Sequence, residues 1–249
     1  TYLGGSGGTT PEQANAIKVD SSGNAYIAGV TNSANFPVTG GVDQSALKGP
    51  SDAFMARLNA AGSALVFSTY LGGTQTEWAA GIGIDSSGSV YVSGYTSSVD
   101  FPLSGAVQAT YGGLQDAFVS KLNSTGNTLG FSTFYGGSGA DSINALAVDA
   151  NGNMYVGGQT TSLNLPLTGP IQASNNGGSI GWLARIGVTT APSQLPSVVS
   201  VTPSSGSGNA PVFTAVYSDN GGAAALTIVS LLVGTGTSTA FACYVSYNQ

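Results

Sequence analysis

The run AIKVDSSGNAYIAGVT, Ala16 to Thr31, decides the fold. Ile17 and Val19 alternate with Ala16 and Lys18, the two-residue period of a strand with one covered face. Ser22-Gly23-Asn24 then supplies residues that tolerate the positive φ of a tight reversal, and the alternation resumes at Tyr26 and Ala28. The segment reads as a β-hairpin. It returns as GIGIDSSGSVYVSGYT from Gly81 and as ALAVDANGNMYVGGQT from Ala145, so Asp20, Asp85 and Asp149 mark a repeat of 64 to 65 residues.

Working outward, TYLGG at Thr1 recurs at Thr69 and as TFYGG at Thr133. FPVTG at Phe36 recurs as FPLSG at Phe101 and LPLTG at Leu165. DAFMARLN at Asp52 recurs as DAFVSKLN at Asp116 and, more weakly, as GWLARIG at Gly181. Each full copy carries a second hairpin, in the first copy Asp52 to Asn59, a turn at Ala60-Ala61-Gly62, and Ala64 to Leu71. Four strands per repeat suit a propeller blade. The repeat exceeds the ~40 to 45 residues of WD40-type blades, and the excess lies around Phe36-Pro37 and Phe101-Pro102.

YLGG, VDSSGNAY, the FP loop, DAFVSKLN and FSTYLGG closely resemble the bacterial SBBP, or seven-bladed β-propeller, repeat, over residues 1 to about 188. The resemblance implies four-stranded blades in secreted or surface proteins, and it does not imply an enzyme. In the third copy DAF becomes Ile180-Gly181-Trp182 and no FSTYLGG follows Val188, so this blade is expected to be one strand short.

The expected organisation is a propeller-repeat domain over 1–188 (blades of about 1–68, 69–132 and 133–188), a linker over 189–197 and a β-rich segment over 198–249. Pro192 and Pro196 among small residues oppose helix and central strand in the linker. Beyond it, 198–202, 212–217, 226–233 and 241–247 are strand-like and weakly resemble part of an Ig-like sandwich, which needs ~7 strands. The fold expectation is therefore all-β. Three four-stranded propeller-type blades form an open array, or part of a ring or filament completed by other subunits, and a small sandwich-like C-terminal segment follows.

Composition narrows function. Only 6% of the 249 residues are charged, against the ~25% usual in soluble domains, while 41% are hydrophobic and 38 are Gly. A net charge of −6 with five Lys and Arg offers no basic stripe for nucleic acid. The longest apolar run, Leu226 to Val233, falls short of the ~20 residues of a membrane-spanning helix. The chain opens at Thr1 without a charged-then-apolar leader, so an export signal is expected to have been removed or to lie outside it. With no His and a lone Cys243, expected to be a buried small hydrophobe, the usual general base, zinc set and internal disulfide are missing.

Most charges repeat, as a fold-keeping residue would and a catalytic constellation would not. Glu12, Glu77 and Asp141 correspond, as do Asp20, Asp85 and Asp149, Arg57, Lys121 and Arg185, and Asp52 with Asp116. Each D-x-x-G turn offers one carboxylate, too few for calcium, so Asp20 and its equivalents are expected to bond turn amides. Glu12, Glu77 and Asp141 are expected to pair with Arg57, Lys121 and Arg185, and Tyr26, Tyr91, Tyr155, Trp78 and Trp182 to pack blades rather than stack sugars. No catalytic residue, metal ligand or cofactor site is expected.

Three blades cannot close a ring of the usual 4 to 8. The functional expectation is a non-catalytic extracellular or cell-surface structural protein that forms a homo-oligomer or homopolymer. Thr1 aligns with the middle of the fourth strand of a blade, so Tyr2, Leu3, Gly4 and Gly5 are expected to supply the strand missing from the third blade of a neighbour, at the edge marked by Trp182 and Val188. The alternative is a carbohydrate-binding or adhesion module facing extracellular polysaccharide.

Overall fold

A computed structural model describes residues 1–6 and 12–187 and, as backbone alone, 197–202, 212–218 and 229–232. The described residues contain strands and no helix. The chain divides into two compact units, Thr1–Val188 and Thr189–Gln249.

The first unit holds three antiparallel sheets built in sequence order. Strands β1 (Gln13–Val19), β2 (Ala25–Thr31), β3 (Asp52–Leu58) and β4 (Leu65–Leu71) make the first blade. Strands β5 (Glu77–Ile84), β6 (Val90–Thr96), β7 (Asp116–Leu122) and β8 (Leu129–Tyr135) make the second. The third has three strands, β9 (Asp141–Val148), β10 (Met154–Thr160) and β11 (Ile180–Ile186), one fewer than a full blade, as the lost FSTYLGG motif implies. Inner strands β1, β5 and β9 lie in sequence beside one another.

One local device recurs in every blade. The inner strand bulges against the second strand, between Ala14 and Ala16 in the first blade, between Ala79 and Gly81 in the second, and opposite Gly157 and Gly158 in the third. The bulge drives a carbonyl into the neighbouring strand, and a Cβ at Gly29, Gly94 or Gly158 would overlap Gln13 O, Trp78 O or Ser142 O. That is why a Gly interrupts IAGVT, VSGYT and VGGQT at one place.

Each blade has a near face toward the preceding blade and a far face toward the next. Tyr26, Met55, Phe67 and Leu71 on the far face of blade 1 pack against Ile82, Phe101, Phe118 and Phe134 on the near face of blade 2. Tyr91, Val119 and Phe131 meet Ile143, Met154, Val156 and Trp182 in the same way at the next junction. Backbone bonds stitch the blades, Glu77 N donating to Ser51 O at 3.0 Å and Asp141 N to Gln115 O at 2.8 Å.

The second unit contains a three-stranded antiparallel sheet of β12 (Ser197–Thr202), β13 (Val212–Ser218) and β14 (Val229–Leu232). The strand expected over 241–247, Cys243 within it, and the linker up to 196 lie outside the described residues.

Candidate assembly site

Four groups of side chains recur from blade to blade, beginning with the hairpin turns. Asp20 Oδ1 accepts bonds from Ser22 N and Asn24 N, both 2.9 Å. Asp85 and Asp149 repeat this with Ser87 N and Ser89 N, and with Asn151 N and Asn153 N. The Asp side chains thus close turns, as the sequence implied.

The cations differ from expectation. Arg57 Nη2 lies 3.7 Å from Asp20 Oδ2 and Lys121 Nζ 3.0 Å from Asp85 Oδ2, so they pair with the turn carboxylates and not with Glu12 or Glu77. Arg185 reaches the third turn through Asn153 Oδ1 at 2.7 Å. The reason is register: Tyr26 stands opposite Arg57 and Tyr91 opposite Lys121, so each cation lies over its tyrosine ring, 5.1 and 4.9 Å from the centroid, beside the turn. Burial alone would raise Asp85, but Ser87, Lys121, Tyr91 and the Ser89 N–H outweigh it and hold its carboxyl well below the usual range.

The third group sits where the chain crosses between blades. Gly73 N donates to Glu77 Oε2 (3.0 Å) and Thr74 N to Asp100 Oδ1 (3.0 Å); Gly137 N donates to Asp141 Oδ2 (2.7 Å) and Ser138 N to Asn164 Oδ1 (2.9 Å). A second buried carboxylate faces each crossing. Asp52 accepts from Gln44 Nε2 (2.7 Å), Lys48 N and Gly49 N; Asp116 Oδ2 accepts from Gln108 Nε2 (3.1 Å) and Gly112 N (2.8 Å). A Cβ on Gly72 would press on Glu77 Oε2 and stand 2.8 Å from Asp52 Oδ1; one on Gly136 would stand 2.6 Å from Asp116 Oδ1 and 2.9 Å from Asp141 Oδ2. Sequence reasoning matched each carboxylate to its repeat but missed that the two sets converge. The signal was a shared spacing of 25 residues, Asp52 to Glu77 and Asp116 to Asp141.

The fourth group is the expected assembly segment. Gly5 N donates to Glu12 Oε2 (2.7 Å) and Ser6 N to Asn35 Oδ1 (2.8 Å), the same bonds the two internal crossings make. Leu3 packs on the cluster of Phe36, Phe54 and Tyr70, the place Leu71 takes on Phe101, Phe118 and Phe134. Tyr2 is fully exposed, whereas its equivalents Tyr70 and Phe134 are buried. Gly4 has no room for a side chain beside Glu12. Trp182, on β11, stacks on Tyr135 with centroids 4.9 Å apart, and its indole Nε1 has no hydrogen-bond partner among the described residues. Val188 lies outside the described residues. Of the remaining aromatics, Tyr26 and Tyr91 are buried and Trp78 lies parallel to Tyr95 at 6.4 Å, but Tyr155, their equivalent in blade 3, is 41% exposed and does not pack between two blades as expected.

The outermost faces repeat the internal ones uncovered. Ile17 is 64% exposed where Ile82 is 4%, and Leu183 is 61% exposed where Met55 and Val119 are 0%. Comparison with known proteins agrees with the repeat. The regulatory protein FlaEY of Caulobacter vibrioides is 34% identical over 118 residues, covering 43% of this chain and only 12% of that protein. A family described as a beta-propeller repeat, SBBP, matches residues 1–37, 66–102 and 129–166, each match running from an outer strand across a crossing to the FP-type loop. Through these three copies, spread over residues 1–166, the chain belongs to the SBBP beta-propeller repeat family.

Proposed function

We propose that this chain is a non-catalytic structural protein of the bacterial exterior that associates with further copies of itself, blade face to blade face. The supporting observation is continuity with the internal junctions. The near face of blade 1, with Ile17 and Val19, and the far face of blade 3, with Leu183 and Tyr155, carry the residue positions that bury each other between blades 1, 2 and 3. Covering an exposed side chain of this size is worth about 1.5–3 kcal/mol. In this arrangement Thr1 to Gly5 adds beside β11 of the neighbour, and Tyr2 meets Leu165 and Trp182 there, the counterparts of the Phe101 and Phe118 that pack with Phe134. Few surface charges need be desolvated, which suits a homopolymer.

Light scattering on the eluting protein tests this. The chain should run as a concentration-dependent oligomer or polymer, and Ile17→Asp and Leu183→Asp should each reduce it to a monomer with unchanged circular dichroism. A monomer at every concentration would refute the reading.

A second reading, a carbohydrate-binding or adhesion module, draws on the half-buried parallel pair Trp78 and Tyr95, which stands in blade 2 alone among the described residues. Glycan binding by the monomer, lost in Trp78→Ala, would favour it.

A further inference from the structure

The two crossings between blades each bury two carboxyl groups, and every cation but Lys48 lies elsewhere. Arg57 and Lys121 are spent on the turns, Arg185 lies on Asn153, and Lys18 belongs to exposed β1. At the first crossing Asp52, from β3, and Glu77, from β5, are both 0% exposed. Lys48, in the loop before β3, is the cation that acts on Asp52, and the phenols Tyr70 and Tyr111 sense the pair. At the second crossing Asp116, from β7, and Asp141, from β9, are also 0% exposed, and Tyr111 is the further titratable group that senses Asp116.

Beyond their assigned donors, Asp52 and Glu77 both border Gly72, and Asp116 and Asp141 both border Gly136. Glu77 is held by Thr96 Oγ1 at 2.6 Å and by Gly73 N. Asp141 is held by Thr160 Oγ1, by Ser162 Oγ at 2.7 Å and by Gly137 N. Asp116 Oδ1, turned toward Asp141 across Gly136, has no well-formed hydrogen bond among the described residues, with the Gly113 N–H as a weak donor. Two buried carboxyls bordering one glycine and held mainly by neutral donors favour uptake of a proton by one of them. The surrounding groups are largely N–H and hydroxyl donors, the wrong lining for a hard cation, which wants several oxygen acceptors.

We propose that each blade junction is closed with one of its two buried carboxyls protonated, Glu77 beside Asp52 at the first and Asp116 beside Asp141 at the second, and that the blades loosen from one another when that proton leaves. Burial pushes Glu77 up to about 7, with the Ser98, Thr96 and Gly73 donors pulling against it and the Asp52 charge adding to it. Burial, with the Asp141 charge adding to it, brings Asp116 up to about 6. Groups raised in the folded state stabilise it fully below their unfolded values, and that stability is lost as pH rises through about 6 and 7. Asp85, held low, acts in the opposite sense and loses its contribution only in strong acid. Stability should therefore peak in mildly acidic solution.

Urea unfolding of the full chain at about pH 5.5 and about pH 8.5 tests this. The folding equilibrium constant should fall on the order of a hundredfold between them, and the double variant Glu77→Gln, Asp116→Asn, which mimics the protonated pair, should abolish most of that fall. A flat wild-type profile, or a double variant that keeps the slope, would overturn the proposal. Carbon NMR of the wild-type carboxyls needs no variant: Glu77 and Asp116 should titrate well above the ordinary acid range, and titration near 4 would overturn it. Saturable rescue of the wild type by calcium at the higher pH would likewise overturn it, by showing the pair to be a cation site.

Discussion

A methyl group at Gly94 would overlap the Trp78 carbonyl, and neither partner is free to move, because both belong to paired strands of the middle blade. Gly94→Ala should lower stability by about 2–3 kcal/mol, the cost of overpacking a well-filled site. Gly40→Ala, in a loop with nothing within 4 Å, should stay within about 0.5 kcal/mol. Urea midpoints of the two variants check the contrast, and equal losses would mean that the bulge is not what requires Gly94. The period-two alternation around Asp85 is plain in the sequence, but the bulge is not, since it depends on a partner strand whose register no local pattern states.

The hairpin turn is the element that carries the salt bridge. Asp85 holds Ser87 N, Ser89 N, Tyr91 Oη and Lys121, so Asp85→Ala removes a largely buried cap and should cost about 2 kcal/mol. Lys121→Met keeps the packing over Tyr91 and removes only the charge, and it should cost about 1 kcal/mol or less. Thermal melts of both variants would show this order, and a larger loss in Lys121→Met would place the energy in the ion pair. Turn and hairpins were legible because Asp, Gly and Asn act on neighbours a few residues away. The partner of Arg57 was not: Asp20 and Arg57 are distant in sequence and meet through the pairing of β2 with β3. The carboxyl pairs at the crossings were hidden for a related reason, since each joins one blade to the next.

Across the whole first unit, the three blade sheets differ in how much of them is covered. Among the described residues of the first unit, blade 2 has neighbouring blades on both faces, whereas blades 1 and 3 each have one, and β1 is exposed along most of its length. Stability in such an array is a sum of blade terms and nearest-neighbour terms. Amide hydrogens of β6 and β7 should therefore exchange most slowly and those of β1 and β11 first, at a protein concentration where the chain is monomeric. Uniform protection across the blades would contradict this.

The equivalence of the two junctions reaches beyond energetics. Because the far face of blade 1 and the far face of blade 2 present the same positions, and Thr69 and Thr133 occupy the same point in β4 and β8, a cut and rejoining at these threonines removes one blade without altering the kind of contact that remains. Duplication at the same points adds one. Blade number is thus a quantity that recombination can change in whole steps, leaving each surviving crossing with its paired carboxyls intact.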